Sequence, residues 1–196
     1  MSREEDRVIG SLVLLCKQLG VTCVVQVGAE NGYEADAIKQ ATGCRAVAID
    51  PDPRCAPCSS AIEFHEALIG ATNSVVEFYL HPAPGLSGQL QRGSGGEIEV
   101  TMPQYKLSRF CRKYGITPDA LIIDTEGTTL DVLEGADPLL GGVKLVYAEC
   151  QTDMLKPGMR HVDDVDAFLT ARGFTAHYGL PSYDCGTQGN YTWVKP

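Results

Sequence analysis

Residues 24–32 read VVQVGAENG, and residues 47–51 read VAIDP. The first stretch is an apolar strand running into a turn punctuated by Gly28 and Gly32. The second is an apolar strand that ends on an acid. Asp50 falls about 22 residues after Gly28, close to the spacing at which a Rossmann-type carboxylate meets a nucleoside ribose. A turn built on glycines lets backbone approach a ligand, because no Cβ intervenes. Two glycines after a strand also occur as a plain turn; the acid at the right distance favours a nucleoside-cofactor site on an α/β fold.

The turn is informative by what it lacks. A dinucleotide fingerprint needs a second glycine where a pyrophosphate meets the helix N-terminus. Glu30 occupies that position, and its carboxylate repels a diphosphate at short range. An acidic turn suits a cationic ligand such as S-adenosylmethionine, which carries adenosine, a sulfonium and an ammonium but no phosphate. An NAD-dependent oxidoreductase is the disfavoured alternative.

Working outward, apolar periodicity orders the rest of the chain. Ser2 can cap a helix whose first turn is acidic, and Val8, Leu12, Leu15 and Leu19 follow at helical spacing until Gly20 ends it. Residues 1–20 thus form an N-terminal helix packing on the core. Strands are expected at 22–27, 45–50, 62–65, 120–124, 143–149, 174–178 and 190–194, and helices at 33–41, 107–114, 128–133 and 163–172. Thr128 with Asp131 has the spacing of an acidic capping box. Residues 74–80 and 97–101 alternate like a hairpin or an edge pair. Between them residues 81–96, HPAPGLSGQLQRGSGG, make a flexible loop that is either a lid over the site or a plain excursion. Strands alternating with helices imply a mostly parallel sheet covered on both faces, in one domain spanning 1–196.

Composition limits the partners. A net charge of −9 disfavours nucleic acid, which needs a basic surface. The mixed-charge N-terminus and the absence of a long apolar run point to a cytoplasmic protein with no membrane partner. Of eight cysteines, Cys16, Cys23, Cys44, Cys111 and Cys150 sit in or beside apolar segments as small hydrophobes. Cys55 and Cys58 form a lone C-x-x-C in a proline-rich loop, with no second pair to complete a zinc site.

Ligands of open α/β sheets bind outside the carboxyl ends of the strands. Those ends carry the Gly28 turn, Asp50, His65-Glu66, Asp124-x-Glu126 and Glu149, so acids converge on one edge. The segments VGAENGY, IDPDP, EFHEALIG to VVEFYL, YKLSRF, LIIDTEG, DVLEGADPLL, VKLVYAEC and GNYTWVKP resemble, in order, the FkbM-type S-adenosylmethionine-dependent methyltransferases. The resemblance runs from about Val24 to Lys195, and I-D-x-E-G followed by x-V-L-x-G-A is its most specific part.

The resemblance implies a class I methyltransferase fold, Rossmann-like, with a central, mostly parallel seven-stranded sheet. It also implies an O-methyltransferase acting on a hydroxyl of a small molecule, sugar or natural product. Carried over by position, Gly28, Ala29 and Gly32 line the methionine moiety and Asp50 holds the ribose diol. Glu66 and Ala67 lie against adenine, and Asp124 faces the methyl group with Glu126 beside it. Two positions depart from the family. Gln26 stands where an acid is common, and Glu30 replaces a usual asparagine and can restore the negative charge. A non-catalytic nucleoside-binding module is therefore the alternative reading.

Methyl transfer from a sulfonium is an in-line displacement, so alignment supplies much of the rate, and a base must take the acceptor's proton. Asp124 is the first candidate base. His161 is the better base chemically but reads more readily as the start of a helix. Asp124, Glu126 and Glu149 also offer oxygen ligands to Mg²⁺, but three neighbouring acids read more readily as electrostatic partners for a cation. The acceptor's identity and the oligomeric state stay open, a homodimer included.

Overall fold

The computed structural model describes residues 3–91, 93, 95–153, 158–177 and 186–195. Helix α1 (Arg3–Gln18) precedes strand β1 (Cys23–Val27), helix α2 (Tyr33–Thr42), strand β2 (Arg45–Asp50) and strand β3 (Glu63–Glu66). Strands β4 (Leu68–Ile69), β5 (Ser74–Leu80) and β6 (Ile98–Tyr105) follow, then α3 (Leu107–Tyr114), β7 (Ala120–Ile123) and α4 (Thr129–Ala136). The chain closes with β8 (Leu145–Gln151), α5 (Val162–Thr170), β9 (Thr175–Ala176) and β10 (Gln188–Val194). Ser2, Tyr178 and Cys185 lie outside the described residues.

Seven strands form one sheet in the order β3-β2-β1-β7-β8-β10-β9. All neighbours are parallel except β10, which runs antiparallel to both β8 and β9. The sequence order reverses direction between β1 and β7, and a ligand crevice is expected at the carboxyl ends of that pair. Both faces are covered, which is why the central strands read as continuous apolar runs. Alternate residues divide between the faces. Val25, Val27, Val47, Ile49, Leu121 and Ile123 join the core under α3, α4 and α5. Val24, Ala46, Ala48, Ile122 and Leu145 join a second core with α1 and α2, where Val8, Leu12, Leu15 and Cys16 are buried.

Boundaries shift in a few places. Asp124 lies just past β7, and β8 starts and ends two residues later than expected, carrying the strand to Gln151. Thr128 does precede α4, but its hydroxyl donates to Thr125 O at 2.9 Å and caps nothing, so the acidic capping box is absent. The expected hairpin is present: β5 and β6 pair antiparallel from Ser74↔Gln104 to Leu80↔Ile98. A third strand, β4, joins β6 in parallel and completes a separate small sheet. Two residues carry too little pattern to read as a strand.

Candidate active site

The Gly28 turn is held against the neighbouring strands. Gly28 and Ala29 donate their N–H groups to Ile49 O at 3.0 and 3.2 Å. Gly28 has φ 71°, and a Cβ there would lie 1.6 Å from the backbone oxygen of Asp124. Gly32 has φ 73°, and its Cβ would meet Ile62 and Ala48. Both glycines therefore serve chain-on-chain approach first. The space for a ligand is a consequence of how closely the loops after β1 and β7 pass.

Asp50, at the end of β2, is 7% exposed and clamps the turn. Its carboxylate accepts from Glu30 N at 2.7 Å and from Asp52 N at 2.9 Å, and the Cys55 thiol also donates to it. Burial raises its pKa, partly opposed by those hydrogen bonds. A carboxylate has about four acceptor positions. Three are taken, so a ribose hydroxyl finds one, or two if the Cys55 thiol turns aside.

Gln26 is the polar residue on the α2-facing side of β1, and it is 3% exposed. Its Oε1 accepts from Ala35 N at 3.0 Å and its Nε2 donates to Glu34 Oε2 at 2.7 Å. A buried amide in an apolar strand is destabilising unless both ends are bonded. The first turn of α2 supplies both partners. Glu34 went unnoticed in the sequence because nothing marks an acid in a helix's first turn as more than a dipole partner.

Two clefts meet at Gly28, Glu30 and Asp124. The smaller, about 80 Å³, reaches Asp50, Ala67, Leu68 and Glu126. The larger, about 540 Å³, reaches Gln26, Glu34, Tyr147, Asn190 and, on α1, Val8 and Ile9. Tyr147 and Asn190 had no signal in the sequence; Tyr147 arrives on β8 opposite Ile122 of β7, and Asn190 because β10 pairs antiparallel with β8. Asp124 is open to solvent along the cleft yet surrounded by protein. Burial, then the charges of Glu149, Glu126, Glu34 and Asp50, push its pKa well above the carboxylate range. Glu126 holds φ 54° beside it. Glu149 stands on β8, and its carboxylate accepts from Gln188 Nε2 at 2.8 Å. Ala67 N donates to Asp50 O and Ala67 lines the smaller cleft, whereas Glu66 is exposed and lines neither cleft.

The segment after β5 lies across the smaller cleft. Tyr79 and Gly88 exchange backbone hydrogen bonds, and Gly85 sits against the Glu30 side chain. Ser87 Oγ donates to Asp52 Oδ2 at 2.7 Å, while Arg54 bonds both Asp52 oxygens and His81 O. Asp52 is 1% exposed, and its bond to the Arg54 guanidinium brings its pKa down to about 2. The 81–91 stretch is thus a strap latched to Asp52 and bordering the smaller cleft.

His161 is not brought to either cleft. It caps α5: its Nδ1 accepts from Asp163 N at 3.2 Å and its Nε2 faces Thr152 O at 3.1 Å, so both ring nitrogens are engaged. All described cysteines are free thiols. Among the described residues no group of three or more His, Cys, Asp or Glu side chains is arranged to hold a metal. No helix among them is long and apolar enough to cross a membrane.

The strand order, the antiparallel β10 and a ligand cleft at the switch point are those of a class I methyltransferase. Residues 26–176 match the methyltransferase FkbM domain, so the chain belongs to the FkbM family of S-adenosylmethionine-dependent methyltransferases. Among solved structures it is similar to magnesium protoporphyrin IX methyltransferase from Synechocystis PCC 6803 with bound SAM. That likeness has a TM-score of 0.55 at 11% identity over 98% of this chain and 80% of that one. It is also similar to a SAH-bound methyltransferase of Podospora anserina, with TM-score 0.55 and 8% identity over 100% and 80% of the two chains. The methyltransferase domain of bacterial CtHen1 matches with TM-score 0.52 and 9% identity over 98% and 100%. Identities this low carry the fold alone. No curated protein matches by sequence.

Proposed function

We propose that the chain transfers a methyl group from S-adenosylmethionine to a hydroxyl of a small molecule or glycan. The observation that carries this is the convergence of the Gly28 turn, Asp50 and Asp124 on joined clefts whose linings, among the described residues, contain carboxylates and no Lys or Arg. That donor set fits a cationic ligand with a ribose. It also argues against an RNA acceptor, whose phosphates need cations.

When bound, the cofactor supplies an electrophilic methyl on a positively charged sulfur. Asp50 would accept from a ribose hydroxyl, Ala67 and Glu66 would border the adenine side, and the backbone of Gly28 and Ala29 would border the chain leading to the sulfur. Asp124 would take the proton that the acceptor's hydroxyl loses on methylation. Its raised pKa makes it a stronger base than an ordinary carboxylate. Glu126 adds negative potential next to it. The smaller cleft is narrow and residues of the strap line it, so the strap would lift as a nucleoside reaches Asp50.

Calorimetry tests the reading. S-adenosylhomocysteine is expected to bind and NAD is not. Asp50→Ala should weaken that binding about tenfold or more, since a hydrogen bond to a charged group contributes about 1.5–3 kcal/mol. It should also lower thermal stability, because the Glu30 and Asp52 N–H groups lose their acceptor. Unchanged affinity in Asp50→Ala would put the cofactor elsewhere. Turnover in a screen of hydroxylated acceptors then separates an O-methyltransferase from a binding module.

A further inference from the structure

We propose that Glu34, aimed by Gln26, holds the ammonium group at the amino-acid end of the bound cofactor. The inference rests on the cofactor reading above and adds a residue and a positioning partner to it.

The Gly28 turn divides the site into two ends. Asp50 lies in the smaller cleft on one side and Glu34 in the larger cleft on the other. A ligand whose ribose sits on Asp50 and whose chain crosses the turn brings its amino-acid end toward Glu34. The amide of Gln26 carries no charge of its own. Both its polar atoms are committed to the first turn of α2, one to Ala35 N and one to Glu34 Oε2. The effect is to hold one carboxylate oxygen of Glu34 in place and leave the other to a ligand. A neutral amide in a buried strand thus recruits a charge from the helix that follows it.

Glu34 also acts across the cleft. It is among the charges that push Asp124 up, and the first among those that push Tyr147 up, so all three groups share one field. A cation entering the larger cleft relieves that repulsion. Glu30 is the rival carboxylate: it borders both clefts, but its side chain packs against Gly85 of the strap, which lines the smaller one. The geometry therefore assigns the ammonium to Glu34.

Two ligands discriminate the ends. S-adenosylhomocysteine has the amino-acid end and 5′-methylthioadenosine lacks it. By calorimetry on the full chain, Glu34→Gln should weaken S-adenosylhomocysteine by about ten- to a hundredfold and leave methylthioadenosine within about twofold. Gln26→Met should reproduce most of the same selective loss. If that variant does not fold, Glu34→Asp serves, since it keeps the charge but withdraws it from Gln26 by one methylene. Its loss should fall between the parent and Glu34→Gln. Equal weakening of both ligands by Glu34→Gln, or of neither, overturns the assignment, as does a selective loss in Glu30→Gln instead. A parent that binds neither ligand overturns the cofactor reading itself, and this inference with it.

Discussion

Gly28→Ala is the sharpest single perturbation of the site, and Gly43→Ala is its control. Both glycines are left-handed, with φ 71° and 74°. An L-residue in that region costs about 1–2 kcal/mol. Gly43 follows α2 and a Cβ there meets nothing within 4 Å, so strain is its whole penalty. At Gly28 the Cβ would lie 1.6 Å from the Asp124 backbone oxygen, and relieving the overlap means moving one loop by more than an ångström. Overpacking of that kind adds about 1–3 kcal/mol or more. The total is roughly 2–5 kcal/mol. For a chain of this size each kcal/mol is worth about 2–4 °C, so Gly28→Ala should melt roughly 4–20 °C lower, and Gly43→Ala roughly 2–8 °C lower. Scanning calorimetry reads the first quantity and titration with S-adenosylhomocysteine the second. Gly43→Ala should bind normally, whereas Gly28→Ala should lose about a hundredfold, as displaced sites do. Equal melting losses, or intact binding in Gly28→Ala, would refute the close approach of the two loops.

Asp124→Asn should reduce methyl transfer by about 10²–10⁴-fold while raising the melting temperature of the ligand-free protein at pH 7. The sign follows from the raised pKa: the stability tied to protonated Asp124 is fully present below the unfolded pKa and lost as pH rises through the folded one. The gain should therefore vanish near pH 4; a variant that is less stable at pH 7 contradicts the electrostatics. Ser87→Ala should speed both binding and release of S-adenosylhomocysteine by stopped flow, because the strap loses its bond to Asp52. In the parent, that latch should hold above about pH 4 and fail between pH 4 and about 2, where Asp52 protonates and stability carried by a depressed pKa is lost; limited proteolysis within 81–91 reports it. His161→Ala should leave turnover intact and lower stability by about 0.5–2 kcal/mol, the usual effect of losing a helix cap. A loss of activity greater than tenfold would return His161 to the chemistry.

Most of the architecture is legible in the chain because strand and helix periods are local. Val24 to Val27, Arg45 to Asp50 and Ala120 to Ile123 announce themselves as buried strands, and the order of segments carries the rest of the sheet. The residues that were not legible are those whose role depends on pairing across the sheet or on a hydrogen bond from a distant loop. Asn190 reaches the cleft only through its register with Glu149, and β10's antiparallel direction is what sets that register. Ser87 matters through Asp52, 35 residues away, in a stretch whose composition reads only as loop. His161 shows the converse. Its chemistry suggested a base, and the capping geometry occupies both nitrogens.

Strand β7 carries an acid at each end, and the two make opposite use of the same side chain. Asp119, ahead of the strand, accepts from Thr22 N, Cys23 N and the Thr22 hydroxyl, with Lys144 at 3.4 Å. Burial pushes its pKa up, but those donors outweigh it and bring the carboxyl below its usual range. It ties the amino-terminal edge of the sheet together. Asp124, just beyond the other end, has four acids for neighbours in place of donors, and its pKa goes up. A sequence displays both as an aspartate flanking an apolar strand. What separates them is the local balance of donors and charges, set by direction: the parallel strands bring the turns and acids of β1, β2, β7 and β8 to one edge. Negative charge gathered at that edge disfavours the ionised form of Asp124, and a cation entering there would relieve it. On the proposed reading the carboxyl edge is the one that binds, while Asp119 holds the opposite edge together.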